Sequence, residues 1–225
     1  MSAIDDEMAL ARQAMVREIE RSARQALGGR EISPRVLEAL GAVPRHAFVP
    51  PEHLTAAYRN RPLPIGHGQT ISQPFIVALM TDVLDLEPGD RVLEVGTGSG
   101  YQTAVLARLA GAVYTIEISK PLAEGAERIF AELGLTNVHA RVGDGHRGWP
   151  DAAPFDAILV AAAPPEIPDA LVAQLKPGGR LVIPVGREAQ QLVLIEKQSD
   201  GSTTLREVIP VCFVPLTRQE DGGSD

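Results

Sequence analysis

A single cysteine in 225 residues, Cys212, has no partner for an intrachain disulfide and suits a reducing compartment. The sequence also has no Cys-x-x-Cys, no His-x-His and no His-Glu-x-x-His, so the ligand sets of ordinary zinc sites are missing and no metal is expected. Its five histidines, His46, His53, His67, His139 and His146, are scattered and read as surface or locally hydrogen-bonded groups. No apolar run approaches the roughly 20 residues that span a bilayer. The acidic opening, residues 1–7, lacks the apolar stretch of a signal peptide. A cytoplasmic protein without membrane association is the expectation, with a monomer favoured. Lysine and arginine number 21 against 29 acidic residues, and the net charge of −8 argues against nucleic acid as a partner. A phosphate-binding P-loop is absent. A serine-hydrolase elbow at Ser99 needs glycine at positions 97 and 101, which hold Thr97 and Tyr101. Aromatics make up 4%, and Trp149 and Phe155 are expected to pack at a sheet edge.

What is present is an ordinary globular composition, 44% hydrophobic, in a chain long enough to bury one sizeable core. Residues 5–27 read as a helix with Met8, Ala11, Met15 and Ile19 on one face, stopped by Gly28-Gly29. Ser33-Pro34 reads as an N-cap followed by proline at the first helical position, opening a short helix through Leu40. From 43 to 74 the chain is rich in proline and glycine and shows no strong period, which marks a long, often functional loop. An apolar helix follows over 75–84. Beyond it, strands are predicted near 91–95, 112–117, 138–142, 156–161 and 180–185, with helices near 101–110, 120–133 and 168–175. This alternation implies a mostly parallel, doubly wound α/β sheet, Rossmann-like, with helices on both faces. Two last strands, about 191–196 and 207–213, turn at Asp200-Gly201 into an antiparallel hairpin. Residues 220–225 read as a frayed tail. One domain is expected, with an N-terminal helical and loop segment (1–84), an α/β core (85–190) and C-terminal strands (191–225).

The α/β core opens on Arg91-Val92-Leu93-Glu94-Val95-Gly96-Thr97-Gly98-Ser99-Gly100-Tyr101, a strand running into a glycine turn and then a helix. Such a turn lets a ligand press against bare backbone. Nicotinamide and flavin folds favour Gly-x-Gly-x-x-Gly, which requires glycine where Tyr101 stands. The form here, Glu-x-Gly-x-Gly-x-Gly, resembles the first motif of S-adenosylmethionine-dependent methyltransferases, and places Glu94, Gly96, Thr97 and Gly98 at the cofactor. Glu117, at the end of the next strand, can accept both ribose hydroxyls of an adenosine cofactor or can cap the helix after Ser119. Asp144-Gly145 after the third strand can reach the adenine amino group or be a simple turn. The polar run Gln69-Thr70-Ile71-Ser72 before the apolar helix is open to two readings, a site or a loop with Ser72 as N-cap.

Several blocks decide between these readings. Val43-Pro44-Arg45 with Phe48-Val49-Pro50, Leu63-Pro64-Ile65-Gly66 with Gly68-Gln69-Thr70-Ile71-Ser72-Gln73-Pro74, Ala162-Ala163-Pro164-Pro165-Glu166-Ile167-Pro168 and Phe213-Val214-Pro215-Leu216 occur in order around the glycine motif. Together the chain resembles the protein-L-isoaspartate O-methyltransferase family from about residue 15 to 218. The resemblance implies methyl transfer from S-adenosyl-L-methionine, leaving S-adenosyl-L-homocysteine, to the α-carboxylate of isoaspartyl (and D-aspartyl) residues in damaged proteins and peptides. It implies that Ser72 is the active-site serine, that Gln69, Thr70, Ile71 and Ser72 border the cofactor, and that Thr217 closes over it. Asn60 and Ala161 depart from the usual pattern near the expected cleft, where they are expected to tune substrate contact. A relative acting on normal aspartate in a dedicated peptide, and more distantly a nicotinamide-linked protein, are the alternatives.

Overall fold

A computed structural model describes residues 3–218; the predicted frayed tail at 220–225 lies outside them. The first helix, α1 (Ala3–Ala26), buries Met15, Ile19 and Ala23, spaced four apart on one face. The Gly29 N–H closes it onto the Arg24 carbonyl at 2.9 Å. Helix α2 (Pro34–Ala42) starts as its sequence dictates, with the Ser33 hydroxyl accepting from the Val36 N–H and proline at its first turn. Helix α3 (Pro74–Leu84) is buried almost all round and lies against the central sheet, with α1 packed outside it.

The stretch from 43 to 74 is more ordered than its composition predicts. Two short 3-10 turns (Arg45–Phe48 and Pro51–Ala56) lead into a hairpin of β1 (Leu63–Gly66) and β2 (Gln69–Ile71). Its turn residues His67 and Gly68 both have positive φ, 51° and 70°, the geometry of a tight hairpin turn. Strands of four and three residues are too short to show a period, which is why the sequence reads as loop. Ser72 is not the cap of α3. Gln73 holds that position without a side-chain cap bond, and the Phe75 N–H is met instead by Asn60, whose Oδ1 accepts it at 3.0 Å while its Nδ2 donates to Ser22 Oγ of α1. Asn60 is therefore a joint between α1, the loop and α3, and does not line the cleft described below.

The main sheet has seven strands in the order β5-β4-β3-β6-β7-β8-β9. Strands β3 (Arg91–Val95), β4 (Ala112–Glu117), β5 (Val138–Val142), β6 (Phe155–Val160) and β7 (Leu175–Val185) run parallel. Strands β8 (Gln190–Lys197) and β9 (Thr203–Val211) are antiparallel, as predicted. Strand β7 begins earlier than expected because Leu175 pairs with Phe155 before a bulge restores register at Arg180 opposite Ala157. Accordingly helix α6 (Asp169–Ala173) is only five residues long. Helices α3, α4 (Tyr101–Ala107) and α5 (Lys120–Glu132) cover the face that buries Val92, Val113 and Leu159. The opposite face, with Leu93, Ile158 and Leu181, is covered thinly by α6 and the turns around 145–153. Tyr114 completes that cover, stacked on His139 and edge-on to Trp149 and Phe155. Phe155 is fully buried in a strand paired on both sides, so it belongs to the sheet interior rather than its edge.

Candidate active site

From β3 the chain steps outward through β4 to β5, then crosses back to β6 on the other side of β3. Ligands of open α/β sheets bind at such a switch point, beyond the carboxyl ends of the strands. A cleft lies there, lined by Val95 and the glycine loop after β3, Ile116 and Glu117 of β4, and Ala161 and Ala162 after β6. The glycines do different work. Gly96 and Gly98 face the cleft with bare backbone at φ 92° and 53°. Gly100 faces inward, where a Cβ would come within 2.5 Å of the Phe130 ring, so it permits α5 to pack against the loop.

Glu117 is held by that loop. Its Oε2 accepts the Gly98 N–H at 2.8 Å and its Oε1 the Ser119 N–H at 2.9 Å. The capping reading of this acid is realised at the turn into α5, and the side chain also lines the cleft with a further lone pair left on each oxygen. Such a fixed, acceptor-only carboxylate suits the two adjacent hydroxyls of a ribose. Glu94 and Asp144 are the two expected cofactor residues that do not line the cleft. Glu94 is fully buried behind the loop, where Oε2 accepts from the Thr103 hydroxyl and from Thr115 Oγ1 at 2.7 Å. Thr115 uses its only proton there, so Thr97 Oγ1, 2.6 Å away, donates to Thr115. Burial pushes the Glu94 carboxyl up to about 7, against the opposing pull of the two threonine hydroxyls and with added repulsion from Glu117. Asp144 turns its carboxylate onto the His146 N–H and ring, which leaves Gly145 as the lining residue of that pair.

The hairpin supplies the opposite wall, with Gln69, Thr70, Ile71 and Ser72 all lining the cleft. Beneath Ser72 lies Arg45, fully buried, donating through Nη2 to the Ser72 carbonyl and through Nε to the Ala57 carbonyl, each at 2.8 Å. Its guanidinium carbon sits 4.7 Å from the centre of the Tyr101 ring. Burial pulls the guanidinium down to about 10, partly offset by Tyr101 and Tyr58, so it stays cationic at neutral pH. Burial likewise pushes the Tyr101 phenol up to about 12, so it stays neutral.

The chain after β9 straps across the top. The Ala163 N–H donates to the Val214 carbonyl at 2.8 Å, and the Leu216 N–H to the Ala163 carbonyl at 2.9 Å. Gln190 clamps Phe213 by bonds to both its N–H and its carbonyl. Val214, Pro215, Leu216 and Thr217 thereby join the cleft lining, as does Ala161. Among residues not singled out beforehand, Gln102 and Ile118 also line it. Each adjoins a motif residue, and apolar or helical neighbours carry no signal of their own. An adjoining groove continues from Ser72 past Pro62, Ile76, Cys212 and Phe213.

The strand order, the glycine loop at the switch point and the carboxylate on the second strand define an S-adenosylmethionine-dependent methyltransferase. The model of the protein-L-isoaspartate(D-aspartate) O-methyltransferase family matches residues 19–221, and the chain belongs to that family. A protein-L-isoaspartate O-methyltransferase 2 of Polaromonas sp. (strain JS666) is 58% identical over 201 residues, 88% of this chain and 95% of the relative. A protein-L-isoaspartate O-methyltransferase 1 of Cupriavidus necator is 55% identical over 221 residues, 96% of this chain and 85% of its own. Among solved structures, a protein-L-isoaspartate O-methyltransferase superposes with a TM-score of 0.81 at 28% identity, over 91% of this chain and 65% of that longer one. A Plasmodium falciparum structure described as a protein-L-isoaspartate O-methyltransferase, in complex with S-adenosyl-L-homocysteine, gives 0.80 at 25% identity, over 92% of this chain and 99% of that one.

Proposed function

We propose that this protein methylates the free α-carboxylate of isoaspartyl residues in damaged proteins and peptides, and the free side-chain carboxylate of D-aspartyl residues, and that Ser72 orients the acceptor. The observation that carries the reading is the meeting of two walls: the Gln69–Ile71 strand with Ser72 faces the Gly96–Gly98 loop and Glu117 across one cleft. S-adenosyl-L-methionine supplies an electrophilic methyl group on a sulfonium when bound. Residues Gly96, Thr97, Gly98 and Glu117 would hold its adenosine portion, and Gly145 and Thr217 would line the same seat. Glu94 would act on that seat only indirectly, through Thr115 to Thr97, and Asp144 through the turn that presents Gly145.

The acceptor needs no general base, because a carboxylate with an ordinary pKa near 4 is already ionised at neutral pH. The protein's work is alignment. Holding nucleophile and methyl group in line is worth up to roughly 7–11 kcal/mol. Ser72 is half-buried and its backbone carbonyl is already held by Arg45, so its hydroxyl is the group available to fix one carboxylate oxygen. The groove past Pro62, Ile76 and Phe213 offers a path for an extended peptide, whose backbone can be held without reading its side chains.

Two substitutions test these roles separately. Ser72→Ala is expected to lower kcat on an isoaspartyl peptide tenfold or more while leaving S-adenosyl-L-homocysteine affinity within about twofold. Glu117→Ala is expected to weaken that affinity by at least tenfold, since hydrogen bonds to a charged group contribute about 1.5–3 kcal/mol. Calorimetry and steady-state kinetics on both variants read the split. Wild-type turnover in Ser72→Ala removes the assigned role.

A further inference from the structure

We propose that Arg45 is the positioning residue of the acceptor site, holding Ser72 in place and serving as the buried counter-charge for the substrate carboxylate. This rests on the acceptor assignment made above. Among the described residues, the cleft and its adjoining groove are lined by one charged side chain, Glu117, and by no cation. An anionic acceptor therefore enters a site whose lining gives it no positive partner. One layer down, beneath Ser72, lies a buried cation.

Arg45 occupies that layer. It is fully buried, touches no substrate-accessible surface, and bonds the Ser72 carbonyl on one side and the Ala57 carbonyl on the other. Its plane rests on the ring of Tyr101, itself a cleft-lining residue at the start of α4. Nη1 has no hydrogen-bond partner in the protein, and no carboxylate among the described residues lies within ion-pair distance of the guanidinium. A buried cation without a counter-ion is costly in a folded chain, and it would be replaced at no loss by an apolar side chain if packing were its only task. Its charge is only weakly screened in the low-dielectric interior, so it acts across the width of Ser72 onto a carboxylate bound at the serine hydroxyl. Two roles thus meet in one side chain. Its N–H groups fix the backbone that presents Ser72, and its charge favours an ionised acceptor over a neutral one of the same shape.

The test uses two peptides that differ only at the acceptor, one isoaspartyl and one isoasparaginyl, so that a carboxylate is compared with a carboxamide. Affinities are measured with S-adenosyl-L-homocysteine present, which removes the sulfonium charge. The wild type is expected to bind the carboxylate peptide at least tenfold more tightly than the carboxamide. Arg45→Gln, which keeps a donor but loses the charge, is expected to shrink that ratio at least fivefold. Arg45→Lys, which keeps the charge but loses the forked geometry, is expected to retain most of the ratio and lose kcat. S-adenosyl-L-homocysteine affinity should stay within about threefold in both variants. An unchanged ratio in Arg45→Gln overturns the proposal, as does a loss of cofactor and peptide binding in parallel. If Arg45→Gln does not fold, the wild-type ratio and the Lys variant still decide, because equal wild-type affinity for both peptides is equally fatal. Methyl transfer by the wild type is measured alongside: its absence removes the acceptor assignment itself, whereas transfer with an unchanged ratio removes only the role of Arg45.

Discussion

Burial sets the charge of Glu94, and with it part of the pH dependence of the fold. Its carboxyl sits at about 7 in the protein against an ordinary value of 4.5. An acid raised on folding binds more protons folded than unfolded between those values. Its contribution is therefore most favourable below about pH 4.5 and is lost as pH rises through about 7. Glu94→Gln keeps an oxygen to accept from Thr103 and Thr115 and removes the ionisation. The difference in Tm between wild type and Glu94→Gln is expected to move in the variant's favour from pH 5.5 to pH 8. The shift corresponds to about 1–3 kcal/mol, or several degrees for a chain of this size. Thermal melts across that range check it, and a pH-independent difference speaks against an ionisable, unpaired Glu94. At this scale the sequence was partly legible. The spacing of Glu94 and the glycines placed the loop, but which way each side chain points depends on Thr103 and Thr115, whose hydroxyls turn Glu94 away from the cleft. Asn60 shows the same limit: its side chain is spent on Phe75 and Ser22, partners 15 and 38 residues distant.

At the scale of elements, the cleft is assembled from three short pieces on a rigid sheet: the glycine loop, the hairpin and the strap. The strap depends on Gln190, which holds Phe213 at both backbone groups, and on the bonds to Ala163. Gln190→Ala is expected to weaken S-adenosyl-L-homocysteine binding three- to tenfold with kcat at saturation little changed, because Gln190 lies outside the cleft lining. The expected stability loss is about 1–2 kcal/mol, from two hydrogen bonds at a partly exposed edge. Calorimetry and a melting curve read both, and unchanged cofactor affinity would detach the strap from the cofactor. Strands β3 and β4 were readable as short, largely buried apolar runs between turn signals, and α5 because its buried residues Leu122, Ala123, Ala126 and Phe130 recur at helical spacing. The hairpin was not, since seven strand residues carry too little pattern. Nor was the early start of β7, whose Lys176-Pro177-Gly178-Gly179 stretch reads as a turn but forms a bulge against β6.

The whole molecule presents a switch point with a carboxylate-lined seat on one side and a serine on the other. No helix among the described residues is long and apolar enough to cross a membrane. The two faces of the sheet are unequally covered, and the heavier cover, α1 to α5, stands on the side from which Arg45 and the hairpin reach the cleft. The proposed donor seat and acceptor wall come from separate parts of the chain that meet across one cleft at Ser72 and the glycine loop. The proposed function requires that this convergence select an isoaspartyl carboxylate. The measurement that tests it most directly is transfer of labelled methyl from S-adenosyl-L-methionine to two peptides of one sequence, isoaspartyl and aspartyl at a single position. Base-labile label is expected in the first and none above background in the second. Equal labelling of both, or labelling of the aspartyl peptide alone, would contradict it.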